Sequence, residues 1–287
     1  MKRAISLAPW FFTLIWSSGF AVSKFAFPSG DPLYFLAIRL ILAALILFSI
    51  TLATHAPIKL SRQDLLSSLA IGICLHGLYL AGVWYAIHQG APAGLSSVIT
   101  SLQPVLVSIF AVSLLNETLS RKQTVGLVLG FIGVILVVLP KLSQSSGFTA
   151  TSLGLLILAL LGSTAATLLQ KKIGHSIPLL IGTTYQFAIS GVALLLISII
   201  IGKTHLHFTP SGAFAMFWAV VVTSIMAILL LLWLLNNGSA AKVSSLFYLV
   251  PPLAVVQTFI LFGEKVNAQE IIGIAMTALG VALVLRD

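Results

Sequence analysis

Charged side chains are scarce in this chain of 287 residues. Asp, Glu, Lys and Arg make up 7% of it, whereas a soluble domain carries roughly a quarter. The six acidic residues lie at or near the ends of long apolar runs, and the mean hydropathy is +1.13. This lack of charge excludes a water-soluble domain. It predicts an integral membrane protein with the lipid bilayer as its first partner.

Residues that would support other classes of function are also missing. The net charge is +9, but the basic residues stand singly or in pairs between apolar runs, which excludes a basic patch for nucleic acid. No acid lies mid-run, so a carboxylate relay for protons is absent. The single cysteine, Cys74, allows no internal disulfide. Without a metal-ligand spacing or a nucleophile–base–acid set, the sequence predicts no metal, no cofactor and no enzyme.

Ten apolar segments have the length, about 20 residues, that a membrane-spanning helix requires. They are 6–26, 32–54, 65–88, 93–115, 122–140, 152–170, 178–201, 212–235, 240–262 and 268–285. The first follows Met1, Lys2 and Arg3 without a clean cleavage site and is predicted to be a retained span, not a signal. The predicted fold is an all-α integral membrane protein with ten transmembrane helices.

The distribution of lysine and arginine predicts the orientation of these spans. With the N-terminus in the cytoplasm, four basic residues face outside: Lys24, Lys141, Lys203 and Lys265. Ten face inside: Lys2, Arg3, Lys59, Arg62, Arg121, Lys122, Lys171, Lys172, Lys242 and Arg286. Because cytoplasmic loops carry the excess of basic residues, both termini are predicted to be cytoplasmic.

One stretch of the sequence occurs twice, with its prolines, Pro104 and Pro251, 147 positions apart. The same offset relates further pairs: Lys24 and Lys171, Arg39 and Gln186, Glu117 and Glu264, Gly126 and Gly273, Gly133 and Gly280. One skipped residue before the prolines also aligns two serine pairs, Ser96-Ser97 and Ser244-Ser245. An internal repeat of this extent outranks other signals in predicting a fold.

Each half of the chain holds five predicted spans. An odd number inverts the second half in the membrane, so the halves are related by a pseudo-twofold axis in the membrane plane. We expect a first repeat over residues 1–141, a connector over 142–150 and an inverted second repeat over 151–287. This arrangement is typical of secondary transporters that work by alternating access.

Ten spans in two inverted repeats, each with the Ser-Ser, Pro, Glu, Gly, Gly pattern, resemble the EamA-type family of the drug/metabolite transporter superfamily. Within it, Trp84-Tyr-Ala-Ile-His-Gln-Gly90-Ala-Pro-Ala-Gly and Leu102-Gln-Pro104 resemble the bacterial branch that includes the aromatic amino-acid exporters. The resemblance implies export of aromatic and other neutral amino acids across a bacterial inner membrane. Related exporters of other solutes share these phrases, so drugs or other metabolites are the alternative substrates.

The expected mechanism is alternating access about a central cavity lined by spans one, three, four, six, eight and nine. Because no carboxylate lies mid-span, we expect facilitated, gradient-driven export, with proton coupling through His76 as the alternative. A lipid scramblase is the alternative of a different class, and it would show a polar groove facing lipid. The sequence leaves the formation of a homodimer open.

His76 and Tyr79 are the leading candidates for substrate contact. With Gly72 and Val83 they follow i, i+4, i+7 and i+11, which is one stripe of a helix. His76 lies near the middle of the third predicted span, where an ionisable side chain indicates a functional site. A neutral histidine bonded to a neighbouring helix is the structural alternative.

Arg39 is the one basic residue deep within a predicted span. Facing lipid would cost several kcal/mol, so it is expected to face the protein or a water-filled cleft. There it could bind a substrate carboxylate with both arms of its guanidinium. The alternative is that it holds backbone carbonyls or a helix end in place, which its uncharged repeat partner, Gln186, favours.

Deep aromatic residues and the polar faces of the repeated stretch supply further candidates for the cavity, with helix packing as the alternative: Trp16, Trp84, Trp233, Gln103 and Tyr248. Pro104, Pro251 and Pro252 interrupt spans four and nine near their centres and are predicted hinges. Glu117 and Glu264 follow those spans and are expected to cap the next helix. The glycines of spans five and ten predict a close helix contact.

Overall fold

The computed structural model of the chain is built from helices. It describes residues 2–26, 30–89, 91, 96, 99–100, 102–142, 149–207, 209–262 and 267–285. The principal helices are α1 Lys2–Ala26, α2 Pro32–Ala53, α3 Arg62–His88, α4 Gln103–Leu114, α5 Arg121–Leu142, α6 Ala150–Ile173, α7 Leu179–Ile200, α8 Pro210–Asn237, α9 Ala240–Leu261 and α10 Ala268–Leu285.

Within the described ranges, seven helices are long and apolar enough to cross a membrane: α2, α3, α6, α7, α8, α9 and α10. Their large apolar side chains also point outward, and Ile200 and Ile260 are 81% and 71% exposed. The many outward-facing apolar side chains form surfaces that suit lipid. Helices α1 and α5 coincide with two of the remaining predicted segments, and α4 covers the second half of the predicted segment 93–115. Ten spans and cytoplasmic termini stay predictions.

Reciprocal caps at two helix starts repeat along the chain. At α5, the Gln123 amide donates to Ser120 Oγ (3.2 Å), and the Ser120 amide donates to Gln123 Oε1 (3.1 Å). At α10, the Glu270 amide donates to Asn267 Oδ1 and the Asn267 amide to Glu270 Oε2, both at 2.8 Å. Both are capping boxes, and they lie 147 positions apart. The internal repeat therefore extends to the hydrogen bonds of the caps.

Glycines bring α5 of the first half against α10 of the second. A Cβ on Gly126 would lie 2.6 Å from Gly280 O, and a Cβ on Gly133 would lie 2.8 Å from Gly273 O. Gly126 and Gly273 are repeat partners, as are Gly133 and Gly280, so the contact is reciprocal in the way that a twofold axis requires. The predicted close contact is present because residues without a side chain let the backbones approach.

Helices α3 and α8 each contain a π-helical segment, Ile73–Leu80 in α3 and Trp218–Met226 in α8. The offset of 147 aligns Ile73 with Val220, so the two segments overlap in the repeat. π-Helical turns are rare and are frequent at functional sites. The two segments therefore indicate that α3 and α8 contribute to a functional site.

The predicted hinge prolines lie in first helical turns. Pro104 is the second residue of α4. Within α9, the stretch Leu246–Leu249 is 3₁₀-helical, and the α-helix resumes at Val250, directly before Pro251 and Pro252. A proline in the first turn of a helix displaces no helical hydrogen bond. In α9 the irregular part of the backbone is the 3₁₀ stretch, which comes before the two prolines. Their hinge role stays a prediction.

Glu117 caps a helix of the other half. Its carboxylate accepts hydrogen bonds from the amides of Ala240 (2.8 Å) and Ala241 (3.4 Å), at the start of α9. The expectation that Glu117 caps the next helix is wrong, because the start of α5 already has its own capping box. Glu264, for which the same was expected, lies outside the described residues. The Glu117 carboxylate instead meets the positive end of the α9 dipole and links the two halves.

A second link between the halves joins the loop before α2 to the loop before α8. The Asp31 amide donates to His205 O, and the His205 amide donates to Asp31 Oδ2, both at 2.9 Å. Beside them, Gly30 and Leu206 form an antiparallel backbone bridge. The two halves are therefore bonded through backbone amides in two separate places.

Removing the Glu117 carboxylate is expected to lower the free energy of unfolding. Glu117→Gln loses the charge at the helix start, for about 0.5 kcal/mol. Glu117→Ala also leaves two amides without their acceptor, for about 1–2 kcal/mol. Unfolding midpoints in detergent measure both, with Asp64→Asn as the control because Asp64 bonds Ser61 in an exposed first turn. Equal losses from the control and from Glu117→Ala would refute the cross-repeat cap.

Candidate functional site

A cavity of about 70 Å³ lies among α1, α2, α3 and α8. Both π-helical segments contribute to its wall, which combines aromatic, charged and hydroxyl side chains: Trp16, Arg39, His76, Tyr79, Trp84, Thr223 and Ser224. A space of this size holds a few water molecules. The pocket is mostly apolar, with a few polar groups in its wall, and it lies between helices whose outer faces are apolar.

Arg39 is fixed by hydroxyl groups of α8. Its Nε donates to Ser224 Oγ (2.8 Å), and its Nη2 donates to Thr223 Oγ1 (2.9 Å). The side chain is only 6% exposed. Among the described residues no carboxylate pairs with it, and the described acids lie at helix ends: Asp31, Asp64, Glu117 and Glu270. The guanidinium is therefore a buried cation held by neutral partners.

His76 contributes an unsatisfied nitrogen to the same wall. The residue is buried, and its Nε2 has no hydrogen-bond partner among the described groups. Its ring lies 4.7 Å from the ring of Phe187 of α7, at an angle of 52°. The alternative, a neutral histidine bonded to a neighbouring helix, finds no such bond at Nε2. Because buried polar atoms are normally paired, the unpaired Nε2 makes His76 a candidate for substrate contact.

Three aromatic side chains form the flat apolar parts of the wall. Trp16 of α1 and Tyr79 of α3 are stacked, with ring centroids 6.5 Å apart and planes inclined by 12°. Trp84 lies 5.8 Å from the ring of Phe35, at 18°. Held in place by these ring contacts, the side chains offer surfaces that suit an aromatic or branched apolar ligand.

Comparison with known proteins decides the family. The sequence model of the EamA-like transporter family matches residues 6–139 and again 150–286. The chain belongs to the EamA-like transporter family. It is similar to the uncharacterized transporter YvbV of Bacillus subtilis, at 27% identity over 99% of this chain and 91% of that protein.

This EamA-like transporter is also similar to the uncharacterized inner membrane transporter YedA of Escherichia coli, at 26% identity over 94% of this chain and 87% of that protein. A protein of known crystal structure shares its fold, with a TM-score of 0.82 at 15% identity over 98% of this chain and 96% of that one. The chain is a multi-pass membrane protein of a transporter family.

Five of the eight residues that the sequence nominates for substrate contact meet at the cavity of this transporter: Trp16, Arg39, His76, Tyr79 and Trp84. Val83 of the predicted stripe joins them. Gly72 instead packs against α7, where an added Cβ would lie 2.6 Å from Gln186 O. The cavity was expected to be lined by spans one, three, four, six, eight and nine. In the described part of the chain its lining residues lie on α1, α2, α3 and α8, so α2 contributes to the wall and α4, α6 and α9 do not.

The other three nominated residues contact neighbouring helices and not this cavity. Gln103 Nε2 donates to Thr167 Oγ1 of α6 (3.0 Å). Tyr248 is fully buried, and its ring lies against the Cα of Gly130 on α5. Trp233 packs, half-buried, on the apolar core. In this structure all three serve helix packing, which was the alternative for them.

Sequence reasoning missed Thr223 and Ser224, the hydroxyl partners of Arg39. The signal was available, because the offset of 147 aligns His76 with Thr223. The repeat thus places a polar side chain at the same position of both π-helical segments. Thr223 and Ser224 are also the two hydroxyl-bearing residues in the otherwise apolar run from Trp218 to Leu235.

Proposed function

We propose that this EamA-like transporter exports aromatic and other neutral amino acids across the bacterial inner membrane by alternating access. The cavity is the observation that carries the proposal, since Trp16, Tyr79 and Trp84 share it with Arg39 and His76. Aromatic walls suit an apolar side chain, and a guanidinium suits a carboxylate. The absence of a carboxylate from the described lining disfavours cationic drugs.

The proposed topology has ten spans with both termini in the cytoplasm. It assigns the end of α4 and the start of α9 to the inner face, and the bond from Ala240 to Glu117 supports that assignment. It assigns the loops before α2 and α8 to the outer face, and the bonds between Asp31 and His205 support that one.

The proposed cycle requires the cavity to widen. About 70 Å³ holds a few waters but not a phenylalanine, so the cavity is too small for the proposed substrate in this structure. The tight glycine contact between α5 and α10 suits a fixed axis. The π-helical segments of α3 and α8 suit the moving walls.

Facilitated, gradient-driven export is the proposed energetic mode. In the described part of the chain the cavity wall contains no carboxylate that could carry a proton through the cycle. Proton coupling through His76 is the alternative, because its imidazole lines the cavity with Nε2 unpaired.

Uptake of labelled phenylalanine and threonine into proteoliposomes tests this function, with and without an imposed pH gradient. We expect saturable phenylalanine uptake that the pH gradient leaves unchanged. Uptake that requires the gradient and vanishes in His76→Ala would replace facilitation with proton coupling. Uptake of neither amino acid would refute the amino-acid substrate, and flipping of a labelled lipid in the same vesicles would support a scramblase.

A further inference from the structure

In the part of the chain that the structure describes, the cavity contains one fixed positive charge and no fixed negative charge. Arg39 is buried in its wall, and the other polar groups there carry no fixed charge: the hydroxyls of Thr223, Ser224 and Tyr79, the imidazole of His76 and the indole N–H groups of Trp16 and Trp84. Charge interactions are stronger in such a low-dielectric place than in water. A cavity with a fixed positive charge and no fixed negative charge distinguishes a substrate's carboxylate from its ammonium group.

A carboxylate would complete the partners of Arg39. The guanidinium has five N–H donors. Two of them, on Nε and Nη2, donate hydrogen bonds to Ser224 and Thr223. The donors of Nη1 make no hydrogen bond to the described residues. A buried cation without an opposite charge is costly, so a carboxylate ligand gains both hydrogen bonds and charge neutralisation.

An ammonium group would find no equivalent partner. The hydroxyl and imidazole groups of the wall can accept hydrogen bonds from it, but they carry no compensating charge. In an α-amino acid the ammonium is attached to the carbon that bears the carboxylate. Pairing that carboxylate with Arg39 therefore brings the ammonium close to the guanidinium, where like charges repel.

We propose that the substrate class of this cavity is monocarboxylates with an aromatic or branched apolar body, in which an ammonium group is tolerated but not recognised. The proposal rests on the proposed function in taking this cavity as the substrate site. It goes further, because the acid that lacks the ammonium group binds at least as tightly as the corresponding amino acid. Arg39 is the residue that selects the class.

Three ligands with the same ring test whether the cavity recognises the carboxylate and not the ammonium group: 3-phenylpropanoate (carboxylate alone), phenylalanine (both groups) and phenethylamine (ammonium alone). Each is titrated against the purified full-length transporter in detergent, with the shift of the unfolding midpoint giving its affinity. We expect 3-phenylpropanoate to bind at least as tightly as phenylalanine, and phenethylamine to bind at least about tenfold more weakly. Phenethylamine binding equal to or tighter than 3-phenylpropanoate would overturn the proposal.

Variants of Arg39 assign the effect to this residue. Arg39→Gln introduces the residue that the second half carries at the equivalent position, Gln186, so it suits this kind of helix packing. It is expected to weaken 3-phenylpropanoate binding about tenfold or more, while Arg39→Lys, which keeps the charge, recovers part of it. Unchanged binding in Arg39→Gln overturns the proposal. Even if a variant does not fold, the three ligands measured on the native chain decide whether the carboxylate and not the ammonium group is recognised.

The proposed function and this inference fail in different ways. Binding of 3-phenylpropanoate through Arg39 without phenylalanine uptake would refute amino-acid export and leave the monocarboxylate class in place. Phenylalanine uptake with no binding of 3-phenylpropanoate would refute the monocarboxylate class and leave amino-acid export in place.

Discussion

Gly280→Leu is expected to prevent this transporter from folding stably. A Cβ at position 280 would lie 2.5 Å from Gly130 N and 2.6 Å from Gly126 O. Both atoms belong to the backbone of α5, so no change of rotamer relieves the overlap and α10 has to move away. Overpacking of side chains costs about 1–3 kcal/mol, and we expect about 3 kcal/mol or more for this backbone clash. The yield of monodisperse protein in mild detergent and its unfolding midpoint measure the loss.

The matched control is Gly154→Leu on α6. A Cβ there meets nothing within 4 Å, and the residue is exposed, so the same leucine extends into lipid. Replacing glycine within a helix removes a penalty of up to about 1 kcal/mol, and the control is expected to be as stable as the native chain or slightly more so. If Gly280→Leu matched Gly154→Leu in yield and midpoint, the close approach of α5 and α10 would be contradicted.

Gly19→Leu is expected to lower transport about tenfold or more in a protein that still folds. Gly19 lines the cavity, and a Cβ there would lie 3.8 Å from Thr223 Cγ2, an ordinary van der Waals contact. The first carbon therefore fits, while the rest of the side chain has the cavity of about 70 Å³ available to it. A ligand that competes with packed leucine atoms loses about 1–3 kcal/mol, which corresponds to about a ten- to hundredfold fall in binding.

Three measurements separate a blocked cavity from a damaged fold. The unfolding midpoint of Gly19→Leu should stay near that of the native chain, its uptake of substrate should fall about tenfold or more, and Gly154→Leu should transport normally. Native uptake by Gly19→Leu would remove this cavity from the transport path. The two helix glycines thus test different properties with one substitution, because Gly280 faces the backbone of α5 and Gly19 faces the cavity.

Much of the architecture follows from local properties of the sequence. Backbone polar groups must be satisfied within the segment in lipid, so long apolar runs with few charges become helices. The offset of 147 predicts which residues are equivalent in the two halves. The reciprocal contact of Gly126 with Gly280 and the paired capping boxes follow it. A repeat encodes these features because each half folds by the same local rules.

The site depended on information that no local pattern contains. The partners of Arg39 lie 184 and 185 positions away on α8, and Glu117 reaches α9 of the other half. Periodicity predicted His76 and Tyr79 on one stripe, but it could not reveal the π-helical turns or which neighbour each face meets.

The sequence by itself therefore determined the membrane class, the helical segments, the repeat and the family. Only the tertiary structure decided that Tyr248 packs against α5 while Trp16 opens onto a cavity. The physical reason is that cavity lining depends on how each helix is rotated and which distant helix it packs against. Both result from the packing of the whole bundle and not from the residues of one segment.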